Sequence, residues 1–437
     1  MNSHDRSMSS RPPPLPRGAP IVAALDVGTS KVVCLIATGD KGGRTRLLGI
    51  GHQRSGGIKA GMVIDPDAAE QAVRAAVGQA ERMAGVTMEQ VSVAVACGRL
   101  KSHRFVARVR TDTGFAGDAD VARTLSGGEA FAARGGRTLI QFHNEAWHLD
   151  GAEGVADPRG MAGSELSADL VAVTADDGPL QNLLAVVERC YLEPHQLAAT
   201  PYASAMAVTS EVERHLGVLV VDIGAGVTSI AAFAGGRLAM AEILPVGAHL
   251  VTFDVARQLG CSVTEAERIK TLYGTLLPTR SNDHESFSFS PTDGGDGTTA
   301  RVSRAELRSL IEPRIHGIAA LVHERIVAAK LDRSMSERVV LTGGGAELEG
   351  IDSVWGSMGE SPGNTAGAAR GASVRVGRPG PIEGMSADML GPAFATVSGL
   401  VGDSLLQHFA ARTGGLSGWR GSGYVSWIGT WLSRARG

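Results

Sequence analysis

The stretch Gly217-Val-Leu-Val-Val-Asp222-Ile-Gly-Ala-Gly-Val-Thr228-Ser-Ile-Ala-Ala-Phe233 repeats a pattern found earlier, at Ile21-Val-Ala-Ala-Leu-Asp26-Val-Gly-Thr-Ser-Lys31-Val-Val-Cys-Leu-Ile36. In both stretches an apolar strand leads into Asp, an apolar residue and Gly, and a second apolar strand follows a short turn. Asp26 corresponds to Asp222, and Gly28 corresponds to Gly224. An internal duplication of this kind predicts two similar domains that face each other.

Length and composition narrow the class of protein. A chain of 437 residues is too long for one compact core, and 43% hydrophobic with 20% charged residues is typical of a globular protein. The net charge of −3 argues against nucleic acid as a partner. The four cysteines show no metal or disulfide spacing, which fits a reducing cytosol. No stretch approaches the roughly 20 apolar residues that span a bilayer, so we expect any membrane contact to be peripheral.

The two turns are suited to binding phosphate. Glycines let backbone N–H groups approach a phosphate closely, hydroxyl groups add donors, and a lysine can neutralise an oxygen. Two carboxylates beside phosphates are tolerable when Mg²⁺ lies between them, commonly held through water. The residues predicted for these roles are Asp26, Gly28, Thr29, Ser30, Lys31, Asp222, Gly224, Gly226 and Thr228, with Mg²⁺ held through Asp26 and Asp222. The alternative, for either turn alone, is a plain β-hairpin.

Two further elements fit a nucleoside. Gly343, Gly344 and Gly345 follow a predicted strand and would let a nucleoside lie against the backbone. Glu267 and Lys270 lie one turn apart on a predicted helix, where the carboxylate could accept hydrogen bonds from a ribose. Alone, the glycines would be read as an ordinary loop and the Glu–Lys pair as a solvated salt bridge.

In this order, the duplicated hairpins, the Glu–Lys helix and the triple glycine form the signature of the actin–Hsp70–sugar kinase superfamily. The chain resembles one family within it, the bacterial cell-division proteins of the FtsA family. The stretches that carry the resemblance are Val220-Val-Asp-Ile-Gly224, Ala266 to Lys270, Ile311-Glu-Pro-Arg314, Val340-Leu-Thr-Gly-Gly344, Val374-Arg-Val-Gly-Arg-Pro379, Pro392 to Leu400 and Asp157-Pro-Arg-Gly-Met161. The second turn departs from the family, because Ala225 stands where a third glycine is more usual.

The resemblance implies an α/β, actin-like fold of two ribonuclease H-like domains around a nucleotide cleft, with an inserted α+β subdomain and a C-terminal amphipathic helix. It implies ATP and Mg²⁺ as ligands, with at most slow ATP hydrolysis and no catalytic residue that can be named. The implied partners are the C-terminal tail of FtsZ, further copies of the chain in filaments, later membrane proteins of the divisome, and lipids. The implied location is peripheral, on the cytoplasmic face of the inner membrane at the division septum.

The expected boundaries follow from the pattern and the resemblance together. They are a disordered, Pro-rich extension at 1–20, subdomain 1A at 21–101 and 180–216, the inserted subdomain 1C at 102–179, subdomain 2A at 217–257 and 331–401, subdomain 2B at 258–330, a flexible linker at 402–422 and a terminal helix at 423–437. Residues 279–300 are expected to form a surface loop, and a long helix from 306 to 330 is expected to be interrupted at Pro313. The resemblance implies that subdomain 2B receives the FtsZ tail and that subdomain 1C handles self-contact and downstream partners.

The last residues of the chain form an amphipathic pattern. Apolar side chains recur at helical spacing, and three of the five tryptophans fall in the last nineteen residues. Tryptophan favours the membrane interface, because its ring is apolar while its N–H stays hydrated. The residues predicted to bind the membrane are Tyr424, Trp427, Ile428, Trp431, Leu432, Arg434 and Arg436. The alternative is a helix that packs on the protein's own core.

Two other functions remain open at this stage. A small-molecule kinase could use the same fold, but no carboxylate poised on a substrate hydroxyl can be singled out, and such an enzyme has no evident use for the terminal helix. Another actin-like scaffold, such as a pilus-assembly adaptor, is the second alternative, and the stretches at 311–314 and 374–379 argue against it by resemblance.

Overall fold

The computed structural model describes residues 19–40, 42–278, 285–292, 298–357 and 372–413. The strands are β1 (Ile21–Val27), β2 (Lys31–Gly39), β3 (Thr45–Arg54), β4 (Ile58–Lys59), β5 (Met62–Val63), β6 (Gln90–Val95), β7 (Lys101–Arg110), β8 (Arg137–Leu149), β9 (Ala152–Val155), β10 (Glu165–Asp176), β11 (Glu193–Ala199), β12 (Val218–Ile223), β13 (Thr228–Ala234), β14 (Arg237–Leu244), β15 (Ser286–Phe289), β16 (Ala300–Ser303), β17 (Arg338–Thr342) and β18 (Ser373–Val376). The helices are α1 (Pro66–Ala84), α2 (Asp118–Ala132), α3 (Asp177–Arg189), α4 (Thr200–Val208), α5 (Glu211–Leu216), α6 (His249–Leu259), α7 (Val263–Tyr273), α8 (Arg304–Ala328), α9 (Arg333–Ser336), α10 (Ile351–Ser357) and α11 (Ala395–Thr413).

The sheet topology repeats, as the sequence duplication predicts. Domain 1 is built on a five-stranded sheet in the order β11-β6-β1-β2-β3, with β1, β2 and β3 antiparallel and β6 and β11 parallel to β1. Domain 2 carries the same arrangement in the order β18-β17-β12-β13-β14. Each Asp-containing hairpin therefore lies at the centre of its own sheet, where apolar strands are buried on both faces.

Local sequence chemistry sets the ends of α1. Pro66 occupies the first helical position, and the Asp65 carboxylate accepts hydrogen bonds from the next free backbone amides. Gly85 ends the helix in the left-handed conformation, with φ 69°. The buried face consists of small apolar residues, which bring α1 close to β3.

An α+β subdomain is inserted between β6 and α3, and it confirms the expected insertion. It contains β7, β8, β9 and β10 with α2 packed on one face. Its sheet continues the sheet of domain 2 through one point of contact, where Lys101 of β7 pairs with Glu242 of β14. The Ile243 amide donates to the Leu100 carbonyl at 3.1 Å, and the Ala241 amide donates to the Ser102 hydroxyl at 2.9 Å.

The C-terminal part of the described chain returns to domain 1, which corrects two expected boundaries. The linker predicted from 402 does not begin there, because α11 continues to Thr413, and residues from 382 onward belong with domain 1 rather than subdomain 2A. Leu400, Val401 and Leu405 are buried against the first sheet together with Leu35 and other apolar residues. Burial of this apolar face stabilises the helix in a segment whose glycines suggested a linker.

Two smaller expectations also differ from the structure. The segment predicted as a surface loop contains β15, which pairs with β16 and buries Phe287 and Phe289. Alternating burial of aromatic residues is typical of a strand with one face on a core. Helix α8 runs from Arg304 to Ala328 without interruption at Pro313, because its apolar face remains packed along its length and outweighs the one backbone hydrogen bond that proline removes.

Candidate functional site

The two duplicated turns have the same geometry and touch each other. The Gly28 amide donates to the Lys31 carbonyl at 3.0 Å, and the Gly224 amide donates to the Val227 carbonyl at 2.9 Å. A Cβ added to Gly226 would lie 2.5 Å from the Thr29 hydroxyl oxygen, so the turn of domain 2 contacts the turn of domain 1 directly. Only glycine fits at this contact.

A cavity of about 320 Å³ lies between the two turns. It is lined by all of the predicted nucleotide-binding residues except one, namely Asp26, Gly28, Thr29, Ser30, Lys31, Asp222, Gly224, Gly226, Glu267, Lys270, Gly343, Gly344 and Gly345. These residues come from four separated stretches of the chain, and the fold brings them to one cleft. A cavity of this size is at the lower end of the range for small-molecule sites.

Thr228 is the exception, and its prediction as a phosphate donor is wrong. Its side chain is fully buried, and its hydroxyl donates to the Val246 carbonyl at 2.8 Å. Ser229 lines the cavity instead. The reason is strand alternation, because Ser229 is the residue that pairs with Asp222 across the hairpin and shares its face, whereas Thr228 pairs with Ile223.

The two acidic residues are held in a setting that disfavours two negative charges. Burial raises the pKa of Asp26 to about 6, the charge of Lys31 opposes that rise, and the charge of Asp222 adds to it. Burial likewise raises the pKa of Asp222 to about 6, against hydrogen bonds from Thr396 and Ser204 and the charge of Lys31. The pair therefore gains stability from any cation placed between or beside the carboxylates.

The Lys31 ammonium group is a positive charge close to the two carboxylates. Burial lowers its pKa, and Asp26, Glu347 and Asp222 oppose that shift. Its ammonium nitrogen lies 3.8 Å from the centre of the Phe394 ring, a cation–π contact that orients the side chain. Lys31 thus lies at the cavity wall, where Phe394 contacts its ammonium group and nearby carboxylates favour its charged form.

The Glu–Lys pair is partly buried, with Lys270 mostly covered and Glu267 about half exposed, and it is bonded to a third residue. Lys270 Nζ donates to Glu267 Oε2 at 2.7 Å and to the Thr252 hydroxyl at 2.9 Å, and that hydroxyl donates to the same carboxylate oxygen at 2.5 Å. Burial opposes ionisation of Glu267, yet the bonds from Lys270 and Thr252 and the charges of Lys270 and His249 lower its pKa overall. The pair is a fixed polar feature of the cavity wall, as a ribose contact requires.

The triple glycine approaches the second acidic residue closely. Gly343 has φ 83°, and a Cβ there would lie 2.2 Å from Asp222 Oδ1. Gly344 to Glu347 form one turn of 3₁₀ helix, which brings the Glu347 side chain to the cavity. Glycine is required at 343 both by the backbone conformation and by the space.

The backbone of the second turn is already engaged on its outer side. The amides of Ala248 and His249 donate to the carbonyls of Gly224 and Ala225 at 2.9 and 2.8 Å. The start of α6 is therefore fixed to the turn, and its first amides are not available to a ligand. Ala225, which stands where the family more often has glycine, takes part in this contact through its backbone carbonyl.

Several lining residues were not predicted as site residues. Thr200, Ser229, Ala248, His249, Glu347, Pro392 and Thr396 line the cavity, and Phe394 holds Lys31. The stretch from Pro392 to Leu400 resembles the family and was a usable signal, but a similar sequence alone does not show that the segment reaches the cleft.

The donor set fits Mg²⁺ bound together with phosphate. Among the described residues no group of three or more His, Cys, Asp or Glu is arranged to hold a metal ion by itself. Two carboxylates with raised pKa values, facing a cavity lined by glycines and hydroxyl side chains, match the usual Mg²⁺ site of few protein ligands, several waters and ligand phosphates. Asp26 and Asp222 would hold the ion, which would neutralise phosphate charge.

Comparison with known proteins identifies the family. A model described as "Cell division protein FtsA" matches residues 219–399, and one described as "SHS2 domain inserted in FTSA" matches residues 98–174. The chain is 34% identical over 432 residues to the "Cell division protein FtsA" of Agrobacterium fabrum, with 95% of each chain covered. The chain belongs to the FtsA family. The FtsA proteins of Pseudomonas aeruginosa and Escherichia coli strain K12 are 29% and 28% identical, and the alignments cover 87% of this chain and 88% and 89% of theirs.

Solved structures confirm the actin-like fold of this FtsA-family chain. A chain of the "PilM-PilN type IV pilus biogenesis complex" aligns with a TM-score of 0.60 at 17% identity, covering 88% of this chain and 98% of its own. MreB5 of Spiroplasma citri bound to ADP aligns with a TM-score of 0.54 at 13% identity, covering 90% and 99%. At these identities the likeness concerns the fold.

The predicted membrane-binding residues Tyr424, Trp427, Ile428, Trp431, Leu432, Arg434 and Arg436 lie outside the described residues, as do most of the N-terminal extension and part of the loop expected at 279–300. Within the described ranges, no helix combines the length and apolar character needed to cross a bilayer.

Proposed function

We propose that this FtsA-family chain binds ATP with Mg²⁺ in the cleft, forms filaments on the cytoplasmic face of the inner membrane, tethers FtsZ filaments there and recruits later divisome proteins. The observation that supports nucleotide binding best is the pair of matching turns that face one cavity beside Lys31, with a half-buried carboxylate at Asp26 and a buried one at Asp222. MreB5 of Spiroplasma citri, which has a similar fold, has been solved bound to ADP and to AMPPNP.

Different residues of the cleft would contact different parts of the nucleotide. The hydroxyls of Thr29 and Ser30 and the amide at Gly226, with Lys31, would bind the phosphates, since Gly28 and Gly224 let a ligand approach the turns closely, and the carboxylates would hold Mg²⁺. The Glu267–Lys270 pair would contact the ribose, and the glycines at 343–345 would leave room for the base. Turnover would be slow, with the nucleotide acting as a structural switch between the domains.

A titration with ATP and Mg²⁺ followed by isothermal calorimetry tests nucleotide binding. We expect Lys31→Met to weaken binding by roughly tenfold to a hundredfold, the loss typical of a charge-assisted hydrogen bond. Lys59→Met, at an exposed position on β4 that does not line the cavity, removes the same charge and serves as the control. Wild-type protein that binds no ATP would refute this part of the proposal.

Attachment to lipid would depend on the amphipathic pattern at 423–437. One short helix that buries about six apolar side chains is a marginal, reversible anchor, and a filament would add many such anchors together. We expect the full chain to sediment with anionic liposomes and a truncation ending at Ser422 to stay in solution. Trp431→Glu should abolish sedimentation, whereas Ser433→Glu, on the opposite face of the predicted helix, should reduce it only slightly.

The link to FtsZ can be tested separately from lipid binding. Subdomain 2B, at 258–330, is proposed to receive the FtsZ tail, on the basis of the family alone. The truncation ending at Ser422 should sediment with FtsZ polymers and should fail to sediment with polymers of FtsZ that lacks its C-terminal tail. Equal sedimentation with both polymers would show that the tail is not the contact.

A further inference from the structure

The first turn of α11 reaches the floor of the cavity from domain 1. The helix packs on the sheet of domain 1, yet its second residue, Thr396, donates a hydrogen bond from its hydroxyl to Asp222 Oδ2 at 3.2 Å. Asp222 lies on β12 of domain 2. The hydrogen bond therefore joins the two domains at the acidic residue, and both residues are less than a tenth exposed.

The short turn just before α11 also contacts the ammonium group of Lys31 in domain 1. Phe394, two residues before Thr396, lies against the Lys31 ammonium, and the neighbouring Pro392 and Ala393 line the cavity. On the other side of Asp222, the Oδ1 atom occupies the space that a side chain at Gly343 would take. Asp222 Oδ1 thus lies against Gly343 of domain 2, Oδ2 accepts the hydrogen bond from Thr396 of α11, and the Ser204 hydroxyl of α4 is a further donor to this carboxylate.

We infer that Thr396 is a positioning residue of the cleft, which fixes the Asp222 carboxylate for the cation that accompanies the nucleotide phosphates. A free carboxylate rotates, and ordering it when the ligand binds costs free energy that a preformed hydrogen bond removes. Because α11 is docked on domain 1, the carboxylate of domain 2 is correctly placed only while the two domains are held together. The inference rests on the proposed nucleotide function and assigns a role to a residue outside the duplicated turns.

Two substitutions isolate the hydroxyl. Thr396→Val keeps the shape and removes the donor, and Thr396→Ser keeps the donor. We expect Thr396→Val to lower the affinity for ATP by about tenfold in the presence of Mg²⁺, the usual effect of removing a hydrogen bond to a charged group. Its affinity for ATP in EDTA should equal that of the wild type, because no cation is then bound. Thr396→Ser should restore most of the Mg²⁺-dependent affinity.

Two comparisons separate positioning from a general structural effect. Thr38→Val, at a buried hydroxyl in β2 with no hydrogen-bond partner among the described residues, should leave both affinities unchanged. In an Asp222→Asn background, Thr396→Val should have no further effect on Mg²⁺-dependent binding, because the two residues act as one unit.

The outcomes that overturn the inference are distinct. Equal losses for Thr396→Val with Mg²⁺ and with EDTA would show a merely structural role, and no loss in either condition would show no role. In both cases wild-type binding would leave the proposed nucleotide function standing. Wild-type protein that binds no ATP would overturn that function, and this inference with it.

Discussion

Replacing Asp403 by Asn should stabilise the protein at neutral pH. Asp403 lies on α11 and is 6% exposed, and its Oδ2 atom accepts hydrogen bonds from Gln196 Nε2 at 2.5 Å and Gln407 Nε2 at 3.0 Å. Since both donors reach one oxygen, the single carbonyl oxygen of Asn can accept both bonds. The substitution therefore removes a buried negative charge and keeps its hydrogen bonds.

The size of the effect follows from the pKa of this carboxyl. Burial raises the pKa of Asp403 from the ordinary 3.8 to about 6, against the hydrogen bonds from Gln196 and Gln407. The folded state therefore holds the proton more tightly than the unfolded state, and wild-type protein loses stability as the pH rises from about 4 to about 6. A shift of about two units at about 1.4 kcal/mol each corresponds to about 3 kcal/mol.

Urea unfolding of both proteins across this pH range measures the difference. We expect Asp403→Asn to exceed the wild type by up to about 3 kcal/mol in free energy of unfolding at pH 7.5, and the gain to vanish below about pH 4. The same change at Asp352, exposed on α10, should alter the free energy of unfolding by less than about 0.5 kcal/mol. A variant that is less stable at pH 7.5, or a gain of equal size at both ends of the range, would refute this reasoning.

Two further predictions compare glycines that have no room for a side chain with glycines that have open space. Gly399→Ala should lower the free energy of unfolding by about 2–4 kcal/mol in urea, because its Cβ would lie 1.8 Å from a carbonyl oxygen of α4, whereas Gly402→Ala, with open space on the same helix, should raise it by up to about 1 kcal/mol. Gly343→Ala should weaken ATP binding by at least about tenfold in calorimetry, because the added methyl group would displace Asp222 and strain the backbone. Gly402→Ala, which has open space and lies outside the residues that line the cavity, should bind ATP as the wild type does, and equal losses for Gly343→Ala and Gly402→Ala would contradict the argument.

Features with a local cause could be predicted from the sequence. The ends of α1 depend on a proline and a glycine next to the helix, and the hairpins depend on apolar runs around Asp and Gly. The duplication then predicted that the two turns would face each other, because two copies of one unit around a cleft place the same loop on each side. Most of the cavity wall was predictable on that basis.

Features that depend on distant packing could not be predicted in this way. The burial of α11 depends on apolar residues of β1, β2 and β6, more than 300 residues earlier, and its own glycines suggested a linker. Thr228 and Ser229 are both small hydroxyl residues in one strand, and only the pairing of Ser229 with Asp222 shows which of them faces the cleft. The role proposed for Thr396 depends on the packing of α11 against domain 1 and on its hydrogen bond to Asp222 of domain 2.

The single strand pairing between the inserted subdomain and domain 2 has a mechanical consequence. The subdomain is covalently continuous with domain 1 at both ends, and it is hydrogen-bonded to domain 2 where Lys101 meets Glu242. The inserted subdomain therefore bridges the two domains. If the cleft opens, the subdomain must either move with domain 2 or lose that strand pairing. If it moves with domain 2, its angle to domain 1 reports how far the two domains have separated, at a distance from the cleft.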